Sequence, residues 1–235
     1  MNIPKQCIIW GGGESIKVGL SLNLTEKILD NFVIGCNFSF HHYKPTFTAF
    51  IDSSFYRGKL KKYALPDENH IQSLKKQSLL VGYKSDLKSK ELYNNTIILK
   101  GTPNYSPNIE KNGLYAKLTG IFATSLASYL MDYSGIIFLL GMDWTLKGNT
   151  HYYPKNEIDH SGQGYVNWYK THSSENSWSP FLNYKDIKIY NVSLSSNITC
   201  FEKISYRNMF KLLDYNTYNQ TILRETIKSK LVALA

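Results

Sequence analysis

Seven short apolar runs, each ending in small or polar residues, constrain this chain more than any other feature. They occupy residues 6–10, 32–36, 46–51, 78–82, 96–99, 135–141 and 187–192. In most of them the apolar residues run on continuously instead of alternating with polar ones. That is the pattern of strands buried on both faces, as in a parallel sheet covered by helices. Between them, residues 22–30 and 67–77 read as helices. The stretch "GLYAKLTGIFATSLASYLMDY" at 113–133 reads as a long helix whose small residues suit close packing on a sheet. Residues 219–234 read as a C-terminal amphipathic helix. The expected fold is therefore α/β: a Rossmann-like, mostly parallel sheet with helices on both faces, forming one domain over residues 1–235. Residues 143–184 have little periodicity but carry Trp, Tyr and His, and read as an active-site loop or lid.

Composition narrows the partners. With 43% hydrophobic residues among 235, the chain can build a substantial core. Its net charge of +9, from 27 Lys and Arg against 18 Asp and Glu, favours anionic partners such as nucleotides, phosphorylated sugars or nucleic acid. The same charge also fits a solvated, lysine-rich surface. Only residues 57–62 resemble a basic patch, without the dense arginine and interleaved aromatics of a dedicated nucleic-acid binder. Cys7, Cys36 and Cys200 form no CxxC pair, and so few thiols suit a reducing cytoplasm, the expected location. No basic-then-apolar leader opens the sequence. The longest apolar run, around 135–142, is too short to span a bilayer. With no HExxH and no paired Cys/His spacing, zinc is not expected.

In open parallel sheets, ligands bind in the crevice beyond the carboxyl ends of the strands. The first run ends in Gly11, Gly12, Gly13, Glu14 and Ser15, the second in Asn37 and Ser39, and the third in Asp52 and Ser53. The apolar run "GIIFLLG" ends in Met142, Asp143 and Trp144, with His151 and His160 further on. Small, amide, carboxylate and hydroxyl groups thus recur where a nucleotide would lie. Glycines there admit phosphate or ribose close to backbone N–H groups, although three glycines after a strand also make a plain turn. Neither GxGxxG nor GxxxxGK[ST] is present, so a dinucleotide fingerprint and a P-loop are both absent. Asp143 can hold a ribose, bind a metal or cap a turn, and a loop histidine is more often a surface residue than a catalyst. His41 and His42 fit the rim of the cleft, and His70 falls on a helix.

The motifs "CIIWGGGESI", "VIGCNFSF", "FTAFIDSSFY", "GIFATSLASYLMDYSGIIFLLGMDW" and "GNTHYY…DHS" come in an order that resembles bacterial sialyltransferases acting on lipo-oligosaccharide. The chain is equally similar to a related domain found in flagellin-modifying motility accessory factors, in archaeal hydroxymethylpterin diphosphokinase and in phage proteins. The likeness spans about residues 7–206 and implies a sialyltransferase-like variant of the GT-A fold. It places the donor-cradling loop on Gly11–Ser15, nucleotide contacts on Asn37 and Asp52, and the helix entry that touches phosphate and sugar on Thr119 and Gly120. It places the Gly-x-Asp element on Gly141 and Asp143, and the catalytic His on His160. The family's two phosphate-facing tyrosines fall near Thr145 and His151, so neither is kept. Gly12, Glu14 and Gly120 also depart from the pattern, which argues against strict use of CMP-sialic acid. A carboxylate at Glu14 beside a phosphate is unfavourable unless a metal or a hydroxyl meets it.

The leading expectation is a nucleotide-dependent transferase moving a sugar from a nucleotide-activated donor to an acceptor hydroxyl. His160 serves as general base, and His151 offsets charge on the departing phosphate. Trp144, Tyr152, Tyr153, Tyr165 and Trp168 form an acceptor wall, unless they belong to the core. This reaction needs no cofactor beyond the donor. Two alternatives stay open. One is a diphosphokinase acting on a small alcohol, with Mg²⁺ on Asp52 or Asp143. The other is a non-catalytic module that binds nucleotide or nucleic acid. The acceptor is accordingly a glycan, a small alcohol or DNA, and a homo-oligomer is compatible with all three readings.

Overall fold

The computed structural model describes residues 2–58, 67–83, 87, 92–107, 112–144 and 175–235. Its centre is a sheet of eight strands, and every adjacent pair is parallel. In chain order the strands of this sheet are β1 (Gln6–Trp10), β2 (Val33–Cys36), β3 (Phe47–Phe50), β4 (Leu80–Tyr83), β5 (Thr96–Leu99), β8 (Gly135–Leu140), β9 (Ile187–Asn191) and β10 (Glu202–Lys203). A separate two-stranded sheet pairs β6 (Gly101–Thr102) with β7 (Leu114–Tyr115).

The strand order is β10-β9-β8-β1-β2-β3-β4-β5. From β1 the chain steps outward through β2 to β5, then returns to place β8 on the other flank of β1 and steps outward again. The direction of winding therefore reverses between β1 and β8, whose register runs from Gln6 opposite Ile136 to Trp10 opposite Leu140. Such a reversal opens a crevice at the carboxyl ends of the two strands.

Helices cover both faces. Cys7 and Ile9 of β1, with Ile137 and Leu139 of β8, point into a core under α5 (Thr119–Leu130) and α8 (Gln220–Val232). Ile8, Trp10, Phe138 and Leu140 point the other way. They pack under α1 (Ile16–Leu20), α2 (Leu24–Lys27) and α7 (Tyr206–Leu212). Further along that face, Phe50 and Leu80 meet α3 (Ser53–Tyr56) and α4 (Glu68–Lys75). Burial on both sides is why the inner strands β1 to β4 and β8 read as largely apolar runs. Because α5 packs against β1, β2 and β3, most of its residues are buried, including Ser125 and Ser128. A four-residue helix, α6 (Glu175–Trp178), precedes β9.

One expected element is corrected. The helix read over 113–133 begins only at Thr119. Leu114 N–H donates to the Lys100 carbonyl at 3.0 Å and Ala116 N–H to that of Thr102 at 2.8 Å, so residues 114–115 become a strand. The Ser125 hydroxyl, donating to the Tyr115 carbonyl at 2.9 Å, ties this strand to the helix that follows. Long-range pairing overrides local helix propensity here. Among the described residues no helix is long and apolar enough to cross a membrane.

Candidate functional site

At the switch point, the glycine loop after β1 lies directly against the turn after β8. Gly11 N–H donates to the Leu140 carbonyl and Gly13 N–H to that of Gly141, both at 2.8 Å. A Cβ on Gly13 would stand 2.5 Å from Asp143 Oδ2, and one on Gly11 2.7 Å from the Gly141 carbonyl oxygen. The bare backbone therefore makes room for the chain's own second turn. Gly141, at φ +62°, reverses direction there at no steric cost.

Asp143 is 4% exposed, and Ser15 uses both of its oxygens. Ser15 N–H donates to Oδ2 at 2.7 Å and the Ser15 hydroxyl to Oδ1. The carboxylate expected to face a nucleotide or a metal is thus spent on bracing the loop. The Gly11, Gly13 and Ser15 N–H groups are all committed, whereas the Gly12 N–H has no hydrogen-bond partner among the described residues. Glu14 meets Lys17 across 2.6 Å at the solvent surface, so its charge is offset from within the chain.

The turn after β8 is braced from a third side, by a segment that sequence reasoning missed. Asn197 N–H donates to the Asp143 carbonyl at 2.8 Å, and the Ser196 hydroxyl to that of Met142 at 2.7 Å. Asn191 Nδ2, at the end of β9, donates to Ser196 Oγ at 2.8 Å. Trp144 has φ +50°, its carbonyl accepts from Asn197 Nδ2, and its ring packs partly buried against the core. Of the expected acceptor wall, Trp144 is thus partly a core residue. Tyr152, Tyr153, Tyr165 and Trp168 lie outside the described residues, as do His151 and His160.

On the β2 side of the crevice the groups are less committed. Asn37 sits at φ +48°, a conformation that costs most side chains but which Asn tolerates. Its carboxamide meets the Thr119 hydroxyl at 3.3–3.4 Å. These long contacts join the end of β2 to the start of α5. The 12-residue α5 has Leu118 at its N-cap, whose side chain makes no capping bond, and no side chain caps its first turn among the described residues. Its leading N–H groups and the positive end of its dipole are therefore turned toward the crevice. Gly120 keeps this entrance narrow: a Cβ there would lie 2.9 Å from Met142 Sδ and 3.4 Å from the Trp178 ring.

Asp52 stands one strand further out, at the N-cap of α3, and its side chain makes no capping bond. It keeps solvent contact, yet the crowding around it raises its carboxyl above the ordinary aspartate value through desolvation. Its carboxylate has no hydrogen-bond or ion-pair partner among the described residues. No group of three or more His, Cys, Asp or Glu there is placed to hold a metal ion.

Of the two histidines expected at the rim, His41 stays exposed but packs one side of its ring toward His70. Its ring lies 5.8 Å from that of His70, which is 4% exposed and donates from Nε2 to the Phe55 carbonyl at 2.9 Å. Phe38, Phe40 and Phe55 surround the pair. Burial lowers the pKa of both, so both are neutral at pH 7.

The structure thus brings Gly11, Gly13, Ser15 and Asp143 together as one braced loop, and Asn37, Thr119 and Gly120 together as a second, more open cluster. Met142 links the two, since it lies against both Gly11 and Gly120. Comparison with protein-family models, with curated proteins and with solved structures finds no match.

Proposed function

We propose that the chain is a nucleotide-dependent transferase of the sialyltransferase-like GT-A type, moving a sugar from a nucleotide-activated donor to an acceptor hydroxyl. One observation carries the reading: at the switch point of a parallel sheet, an uncapped 12-residue helix opens beside Asn37 and Thr119. Fixed N–H groups and a positive helix end suit the phosphate of a nucleotide. The carboxamide of Asn37 suits a base or ribose, and the order of the strand-end motifs supports the same reading.

The braced glycine loop takes a different part from the one its sequence implies. Its amides hold the second turn, so it supplies the wall of the site while α5 receives the phosphate. In the transfer, the acceptor oxygen attacks the anomeric carbon and its proton passes to His160. The bond from that carbon to the donor phosphate breaks, and the electron pair leaves with the nucleotide. His151 offsets the charge that develops on the phosphate.

A second reading, diphosphoryl transfer to a small alcohol, is favoured by Asp52 alone, the carboxylate of the crevice left without a partner among the described residues. It requires Mg²⁺.

A thermal-shift panel of CMP, UDP, GDP, ADP and the corresponding triphosphates, with and without Mg²⁺, tests both, since a ligand bound only to the folded state raises Tm. The transferase reading expects a shift from one nucleotide without metal, and His160→Ala that abolishes transfer yet keeps the shift. A shift only with triphosphate and Mg²⁺ moves the assignment to the diphosphokinase. No shift with any nucleotide removes both.

A further inference from the structure

A cavity of about 580 Å³ opens at the amino edge of the sheet, the edge opposite the crevice. It lies where the chain enters β2 and β3, since Asn31 and Pro45 each stand two residues before a strand. Thr25 and Leu29, from α2 and the turn after it, form one wall, and Gln220 and Arg224 of α8 form another.

Asn31 marks this cavity as more than a surface dent. It is 7% exposed, and its backbone is fully engaged: N–H donates to the Ile28 carbonyl at 3.0 Å, and the Asn31 carbonyl accepts from Gln220 Nε2 at 3.1 Å. Its side-chain carboxamide has no hydrogen-bond partner among the described residues, and it lines the cavity. Gln220 beside it is the opposite case. Its Nε2 donates to the Asp30 carbonyl at 2.9 Å, and its Oε1 accepts from Thr46 at 2.8 Å. One amide ties the walls together and the other is spare. The Asn31 carboxamide is not sealed in the core: its polar atoms are open to the cavity, where a ligand or water can meet them.

The charges of the walls are also unspent. Glu26 and Asp30 contribute two carboxylates, Lys44 and Arg224 two cations, and none of the four forms an ion pair among the described residues. His42 also lines the cavity, and burial lowers its pKa, so at neutral pH the two signs balance. Leu29, Pro45 and the Tyr43 ring add apolar surface; the Tyr43 hydroxyl is already donated to the Ile28 carbonyl at 2.9 Å. A balanced set of unpaired charges around a spare carboxamide matches a ligand that carries both signs itself.

We infer that this cavity binds a small zwitterion of the amino-acid or dipeptide class. The ammonium lies toward Asp30 and Glu26, the carboxylate toward Arg224 and Lys44, and Asn31 holds the polar group between them. The site is separate from the crevice, and its occupancy does not depend on what the crevice binds.

The test is a thermal-shift and calorimetric screen of the free L-amino acids and glycyl dipeptides, with n-butylamine, butyrate and AMP as probes of single features. One or more zwitterions should raise Tm while n-butylamine and butyrate do not. Arg224→Ala, a change of a half-buried side chain at the cavity wall, should weaken that binding about tenfold, because a charge-assisted bond is lost. Asn31→Ala should weaken it as well. The inference is overturned if no zwitterion binds, or if butyrate or n-butylamine alone gives the same shift. It is also overturned if AMP binds there instead, or if Arg224→Ala leaves zwitterion affinity unchanged.

Discussion

Two carboxylates show how a residue's role depends on what reaches it from far along the chain. Asp143 and Asp52 both follow a strand, and both read as nucleotide or metal contacts. Asp143 is claimed by Ser15, which lies 128 residues away, while the Asp52 carboxylate is claimed by no described residue. No local pattern distinguishes the two, because a Gly-x-Asp looks the same whether its carboxylate faces a ligand or a remote amide. The brace makes a sharp demand on Gly13. Gly13→Ala would push a methyl to 2.5 Å from Asp143 Oδ2, and we expect a loss of about 1–3 kcal/mol of stability by chemical denaturation. An unchanged midpoint would show that the loop and Asp143 move apart freely. Asp52 predicts a pH effect of opposite sense to that of an ion-paired carboxylate. Its folded pKa is raised, so the fold is favoured by protonation and loses that contribution as pH rises through the folded value. Asp52→Asn should therefore melt slightly higher than the parent at neutral pH, and the difference should vanish below about pH 3.8. The effect is small because the group remains in contact with water.

At the scale of elements, the strands were legible because continuous burial leaves a continuous apolar signature. The start of α5 was not. Residues 113–118 suit a helix locally, yet Leu114 and Tyr115 become a strand because Gly101 and Thr102 offer a partner. The two-residue strands β6, β7 and β10 were missed for the same reason, since pairing alone defines them. The packing of α3 and α4 on the turn after β2 was equally hidden, and it has a measurable consequence. His41 and His70 meet there among phenylalanines and have lowered pKa values, chiefly through burial. Asp67, the N-cap of α4, opposes this lowering for both. A depressed histidine contributes stability that is full above its ordinary value of 6.5 and is lost as pH falls below it. Thermal melts between pH 7.5 and about 5 should show Tm falling. His70→Gln, which keeps a donor for the Phe55 carbonyl, should blunt the fall; an identical pH profile in the variant would assign the loss to other groups.

The whole molecule separates two edges. The carboxyl edge carries the switch point between β1 and β8, and the strand-end residues alone suffice to locate it. The division of labour within that edge is not legible in the same way. A closed loop at Gly11–Ser15 and an open helix start at Thr119 rest on contacts between three distant turns. The amino edge is silent in the sequence altogether, since its cavity draws on segments around residues 25–31, 42–45 and 220–224. Titration of the nitrogen-15-labelled protein with the nucleotide selected by the thermal-shift panel, followed by amide chemical shifts, tests the central claim most directly. The account predicts the largest shifts at Gly12, Asn37, Thr119 and Gly120, with Asn31, Lys44 and Arg224 unmoved. Shifts confined to the amino edge, or no site-specific shifts at all, would contradict it.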